Sequence, residues 1–156
     1  MSNTLHPPRL RRLDNVFVCA PFYFVTACTH GRARTLANPA VHDGLREFGI
    51  CAADRGAFVG RYVVMPDHIH FFVSIANGTL ELSSWIKSLK NSLSKILRTQ
   101  GTAAPHWQKG FFDHVMRSAD SYSLKWDYVR ANPVRAGLVS SPEAWPYQGQ
   151  IHDLRY

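Results

Sequence analysis

The stretch Tyr62-Val63-Val64-Met65-Pro66-Asp67-His68-Ile69-His70-Phe71-Phe72-Val73 constrains this chain more than any other. Two apolar runs, rich in β-branched and aromatic residues, flank a Met-Pro-Asp break, and each reads as a buried strand. Pro66 cannot donate to a strand ladder, so Pro66 and Asp67 are expected in a turn or bulge between the runs. His68 and His70 then stand at i and i+2 on one strand. Side chains alternate across a strand, so both imidazoles point to one face while Ile69 points into the core. Two parallel imidazoles on a rigid strand make half of a metal site. The same spacing also describes two unrelated polar positions on the wet face of a sheet, and the pair alone does not choose between the two.

The bulk numbers narrow the setting. The chain has 156 residues, 46% of them apolar and 19% charged, which suits one folded domain with a real core. A formal charge of +7 suggests a polyanionic partner, nucleic acid before anionic membrane. No apolar run approaches the roughly 18 residues of a membrane span, so no membrane role is expected. Residues 1–15 read as a flexible basic arm carrying Arg9, Arg11 and Arg12, with residues 16–156 as the folded domain. The arm lacks the apolar stretch of a signal peptide, and Cys19, Cys28 and Cys51 form no Cys-x-x-Cys pair. A cytoplasmic protein with reduced thiols is the expectation.

Along the chain, Phe22 to Cys28 is the better strand within the apolar region from Val16 to Thr29. Asn38 caps a helix with Pro39 at its first position, running to about Arg55, and Val41, Leu45 and Phe48 form its apolar stripe. Phe58 to Met65 is the next strand. Asn77-Gly78 marks a turn and Thr79 a helix cap. The helix from about Leu80 to Arg98 carries Leu82, Trp85, Ile86, Leu89, Leu93, Ile96 and Leu97 on one arc. Lys87, Lys90 and Arg98 lie opposite, either as a solvated face or as a ridge that tracks phosphates. Phe111 to Arg117 is a further strand. Ser118 or Asp120 caps a last helix that ends at Asn132, before Pro133. The tail packs down through Trp145 and Tyr147. The order β-α-β-β-α-β-α suits an α+β fold, an antiparallel sheet of four to five strands with helices packed on it. Such a sheet can leave one face open to a ligand.

The last helix offers the partners that a histidine pair needs. Tyr128 and Asn132 are four residues apart and share a helical face. A tyrosine can be a covalent nucleophile, but its free pKa of ~10 calls for a nearby cation. The amide oxygen of Asn132 can be a third ligand, since oxygen donors suit Mg²⁺ or Mn²⁺. The bland alternatives stay open: Tyr128 as a core aromatic on the Leu124 stripe, Asn132 as a helix C-cap, and Tyr122 as a rival nucleophile.

Three ordered blocks carry a resemblance. Val63 to Phe71 resembles the HUH motif (His, bulky apolar, His) of single-tyrosine transposases acting on single-stranded DNA. Trp107 to Arg117 and Tyr128 to Val139 look like the later blocks of the REP-associated tyrosine transposases, linked to repetitive extragenic palindromes in bacterial genomes. The resemblance spans about Phe22 to Tyr147 and implies a ferredoxin-like HUH nuclease fold. It also implies that His68, His70 and Asn132 hold a divalent metal, Mg²⁺ or Mn²⁺. Tyr128 would form a 5′-phosphotyrosine link and free a 3′-hydroxyl. The implied partner is hairpin DNA beside a short single-stranded guide, bound by a monomer, with a homodimer the alternative, in the bacterial nucleoid. Arg11, Arg12, Lys87, Lys90, Arg117 and Arg130 are the candidate DNA contacts. Two other functions fit the residues: a domesticated hairpin-binding protein that mobilises nothing, and a metal hydrolase that activates water. The blocks do not look like those of replication initiators or relaxases.

Overall fold

In the computed structural model, which describes residues 15–17, 22–76 and 80–155, the first elements are β1 (Asn15–Phe17), β2 (Phe22–Cys28), α1 (Pro39–Ala52), β3 (Ala57–Val64) and β4 (His68–Ile75). There follow α2 (Leu82–Thr99), β5 (Phe112–Met116), α3 (Ala119–Arg130), α4 (Asn132–Arg135), β6 (Gln148–Gln150) and β7 (Asp153–Arg155). Five strands form one antiparallel sheet in the order β5-β2-β4-β3-β6. From β2 to α3 the succession is the one the sequence predicts, and the fold is α+β with helices packed on the sheet.

The β3–β4 hairpin turns at Pro66 and Asp67 as expected. The Met65 N–H donates to the His68 carbonyl at 2.8 Å, and the carbonyls of Pro66 and Asp67 accept from Leu36 and Thr29. β3 carries a bulge between Val59 and Tyr62, so Val59 faces Val73 while Tyr62 faces Phe71. The extra residue lets both side chains enter the same core. Gly60 sits in this bulge, where an added Cβ would lie 2.8 Å from Leu154 Cδ1. The absence of a side chain there is what lets β7 pack closely.

Asn38 caps α1, its Oδ1 accepting from the Val41 N–H at 3.1 Å. The helix ends earlier than expected, and residues 53–55 tighten into a 3₁₀ turn closed by Gly56 at φ 87°. The turn at Asn77-Gly78 and the Thr79 cap lie outside the described residues, as do Arg9, Arg11 and Arg12 of the arm. Asn15, the last residue assigned to that arm, begins β1 and pairs with Asp153. Ser118 caps α3 through a reciprocal box with Ser121. α3 stops at Arg130 rather than Asn132. Asn132 instead opens the short α4, and Ala131 takes the C-cap of α3. Helical angles resume at once because proline is tolerated in the first turn of a helix.

Two apolar clusters sandwich the sheet. Ile69, Phe71 and Val73 pack against the buried stripes of α1 and α2, including Leu45, Trp85 and Leu89. On the other face Phe22, Phe24, Val63 and Phe72 meet Tyr122 and Val129 of α3, together with Trp145 and Leu154. The expectation of an open face is therefore corrected. α3 and the C-terminal segment roof most of it, because the sheet is apolar on that side too. Trp145 locks the roof by donating its Nε1–H to the Val64 carbonyl at 3.0 Å. The segment then adds β6 along the β3 edge. No described helix is long and apolar enough to cross a membrane.

Candidate metal and nucleophile site

The histidines lie where the roofed face gives out. Ile69 is 1% exposed on the opposite face, and His68 and His70 are half-buried on this one. The antiparallel register sets Thr26 opposite His70. Thr26 Oγ1 lies 2.8 Å from His70 Nδ1, and Asp67 Oδ1 lies 2.7 Å from His68 Nδ1. The rings are not parallel, as strand geometry alone suggests, but stand at 77° to one another. This brings the two Nε2 atoms to 3.1 Å. Two nitrogens at right angles, each ~2.1 Å from a shared ion, would be about 3.0 Å apart.

Electrostatics keeps both imidazoles in the ligand form. Burial, reinforced by His68, Lys125 and Arg135, pushes the His70 pKa down to about 3. Burial also lowers His68, against the opposing pull of Asp67. Burial would raise the Asp67 carboxyl, but hydrogen bonds from His68 and Arg32 outweigh it and hold it below its usual value. An ionised Asp67 accepts the Nδ1–H of a neutral His68, which leaves a lone pair on Nε2. Thr26 can accept the Nδ1–H of His70 in the same way. The two lone pairs then converge on one point, which a cation would stabilise.

Among the described residues no group of three or more His, Cys, Asp and Glu is placed to hold a metal, so a third donor drawn from these residues is of another type. Asn132 is partly buried, and its Oδ1 accepts a hydrogen bond from Arg135 Nη2. The same Nη2 donates to the Tyr128 carbonyl at 2.6 Å, and the guanidinium lies 4.0 Å from the Tyr128 ring centroid. Lys125 Nζ lies 6.0 Å from that centroid and 4.8 Å from that of Phe24, which stacks on His70 at 5.2 Å. The α3 face therefore reaches the histidine strand through Phe24 and Lys125.

The three tyrosine and asparagine alternatives part here. Tyr128 is 61% exposed and Leu124 72%, so neither belongs to a core stripe. Tyr122 is the buried one, set edge-on to Phe22 and Phe72, with its hydroxyl pKa pushed up to about 12 by burial. Asn132 is not the C-cap of α3.

The predicted basic contacts scatter. Lys87 is exposed on α2, which packs on the sheet face away from the histidines. Lys90 is not a free cation, because its Nζ donates to the Gln108 and Gly110 carbonyls at 3.0 and 2.5 Å. Arg130 pairs with Glu143, and Arg117 is exposed just before α3. Arg11 and Arg12 lie outside the described residues. The site residues that the sequence did not single out are Thr26, Arg32, Lys125 and Arg135. Lys125, three residues before Tyr128, and Arg135, three residues after Asn132, carried a spacing signal. β5 adds Phe112, 63% exposed and opposite Thr26, and His114, opposite Phe24, so both face the histidine side.

This architecture is that of an α+β domain whose one antiparallel sheet carries helices on both faces, with a polar site at the edge of the roofed face. Residues 21–132 match the family described as "Transposase IS200 like", and the chain belongs to that family. It is 28% identical to the REP-associated tyrosine transposase of Escherichia coli (strain K12) over 101 residues, 65% of this chain and 59% of the relative. A putative REP-associated tyrosine transposase of Haemophilus influenzae is 26% identical over 102 residues, with 58% of its length covered. The chain thus spans about three fifths of the length of the curated relatives it matches. A solved REP-associated tyrosine transposase bound to a REP hairpin superposes with a TM-score of 0.67 at 26% identity, covering 82% of this chain and 75% of that one. A putative transposase of Deinococcus radiodurans, 19% identical with a TM-score of 0.50, shares the fold.

Proposed function

We propose that this protein is a metal-dependent endonuclease and strand transferase acting on hairpin-bearing single-stranded DNA through a 5′-phosphotyrosine intermediate. The observation that carries the reading is the convergence of His68 and His70 Nε2 at 3.1 Å, each ring held by a partner at Nδ1. The donor set fits a divalent ion: two neutral imidazoles and the amide oxygen of Asn132, which is oriented by Arg135. Mg²⁺ or Mn²⁺ held there would polarise the scissile phosphate. Tyr128 Oη attacks phosphorus and loses its proton to solvent. The bond from phosphorus to the 3′-oxygen breaks, and that oxygen leaves as a free 3′-hydroxyl. Attack by a 3′-hydroxyl on the phosphotyrosine reverses the linkage and rejoins a strand. Lys125 and Arg135 set positive charge beside the tyrosine, which favours approach of a phosphodiester. Exposed Phe112 supplies a face for an unpaired base. A structural relative solved with a REP hairpin bound to it supports the substrate class.

The test is incubation of end-labelled single-stranded palindromic DNA, taken from around the gene, with Mn²⁺ and analysis on a denaturing gel. Label should move onto the protein, and Tyr128→Phe should abolish this while leaving hairpin binding within about threefold. An adduct formed by Tyr128→Phe would point to another tyrosine. Cleavage unchanged by EDTA would remove the metal role. Two free DNA ends without an adduct would mean a hydrolase that activates water, and tight binding without any cleavage would mean a hairpin-binding protein.

A further inference from the structure

One cavity beside the histidines has no part in the chemistry above. It holds about 270 Å³ on the flank of His68, and its lining includes Arg32, Arg34, Met65, Pro66, His68 and Leu138. Met65 is 4% exposed, and with Pro66 and Leu138 it gives the cavity an apolar floor. Arg32 is paired there with Asp67, which also lines the cavity, so the net positive charge at its wall comes from Arg34. The loop of the two arginines is held in an uncommon way. Gly31 and Arg32 take consecutive left-handed angles, φ 60° and 56°. That region disfavours residues with a side chain, and it persists only where the surroundings enforce it. Here the enforcement is visible: Arg32 Nε donates to Asp67 Oδ2 at 2.9 Å, and Nη1 donates to Cys28 Sγ at 3.0 Å. Thr29 completes the hold, since its Oγ1 donates to the Ala33 and Asp67 carbonyls at 2.8 and 3.0 Å. The strained turn therefore fixes Arg32 against the carboxylate that orients His68. Arg34, exposed two residues on, makes no ion pair or hydrogen bond among the described residues.

A free cation beside an apolar floor matches a ligand that joins an anion to a flat ring. We propose that this cavity takes the unpaired nucleotide adjoining the scissile phosphate, with a phosphate on Arg34 and the base against Met65, Pro66 and Leu138. This rests on the reading of His68, His70 and Tyr128 as a nuclease centre, because it is the shared His68 wall that sets the nucleotide next to the phosphate being cut. It assigns to Arg34 a phosphate contact that lies nearer the histidines than the α2 ridge does.

The experiment uses full-length Tyr128→Phe protein and fluorescein-labelled hairpin oligonucleotides from around the gene. An abasic residue is walked through the single-stranded flank, and affinity is read by anisotropy. One abasic position should weaken binding about tenfold, the loss of one base's apolar burial. Ala136→Phe, an exposed residue lining the same cavity, should fill it and erase that positional penalty. Arg34→Ala should weaken binding and reduce the slope of log affinity against log salt by ~0.7, one single-strand phosphate. An abasic penalty of equal size in Ala136→Phe, or an unchanged salt slope in Arg34→Ala, overturns the subsite. The two failures are distinguishable. A wild-type adduct with cavity-independent penalties sinks the subsite alone, whereas the absence of any adduct sinks the nuclease reading and with it the placement of this nucleotide beside a scissile phosphate.

Discussion

Each of the three proposed metal donors has a partner that fixes its direction: Asp67 for His68, Thr26 for His70 and Arg135 for Asn132. Such partners hold ring orientation and tautomer, and removing one weakens metal affinity by ~10–100-fold. Asp67→Asn should therefore raise the Mn²⁺ concentration needed for half-maximal adduct formation by about that factor. The adduct yield at saturating Mn²⁺ should be recovered. Arg135→Gln is expected to do both kinds of damage, because Arg135 touches the tyrosine as well as the asparagine. It should raise the Mn²⁺ requirement and also lower the rate at saturating metal. An Asp67→Asn protein with an unchanged Mn²⁺ titration would show that His68 orientation does not depend on the carboxylate.

Among the elements, the β3 bulge couples the sheet to the C-terminal segment. Adding a methyl group at Gly60 would press on Leu154 Cδ1 and Cγ at 2.8 and 3.0 Å. Overpacking of this kind costs ~1–3 kcal/mol. Gly60→Ala should lower the urea midpoint accordingly. In a cycle with Leu154→Ala the double variant should be more stable than the sum of the single losses predicts, since the clash has gone. Additive losses would mean that β7 does not rest on the bulge. α3 depends on the same roof, so its position over the histidine face is a packing matter. Its own apolar anchors are few, with only Tyr122 and Val129 buried among its residues.

For the molecule as a whole, charge and burial pull in opposite directions. The +7 net charge favours a polyanion along the surface. Three half-buried histidines instead resist gaining charge: His42, His68 and His70 all have folded-state pKa values lowered by burial from 6.5. The unfolded chain then binds protons at these positions more readily than the folded one does. Stability is complete above about pH 6.5 and falls as the pH drops toward the folded values, down to about 3 for His70. In EDTA the urea midpoint should decline between pH 7 and pH 5. A flat profile would mean that other groups compensate for the histidines.

The order of elements was legible in the amino-acid sequence because periodicity, caps and the Met-Pro-Asp turn are local. Phe22 to Cys28, the Asn38 cap, the Ser118 cap and the shared face of His68 and His70 each follow from neighbours a few residues apart. The ordered blocks around Trp107 and Tyr128 pointed to the transposase family for the same reason: they are contiguous strings. What lay beyond local reading was set by contacts between distant residues. Thr26 meets His70 because of sheet register, and α3 covers the histidine face because Phe22 and Phe72 need an apolar cover. Tyr128 and Tyr122 look alike at helical spacing, yet packing exposes one and buries the other. Lys90 and Arg130 read as free cations until loop carbonyls and Glu143 engage them. Local rules determine which residues can share a face, and only long-range packing determines what that face meets.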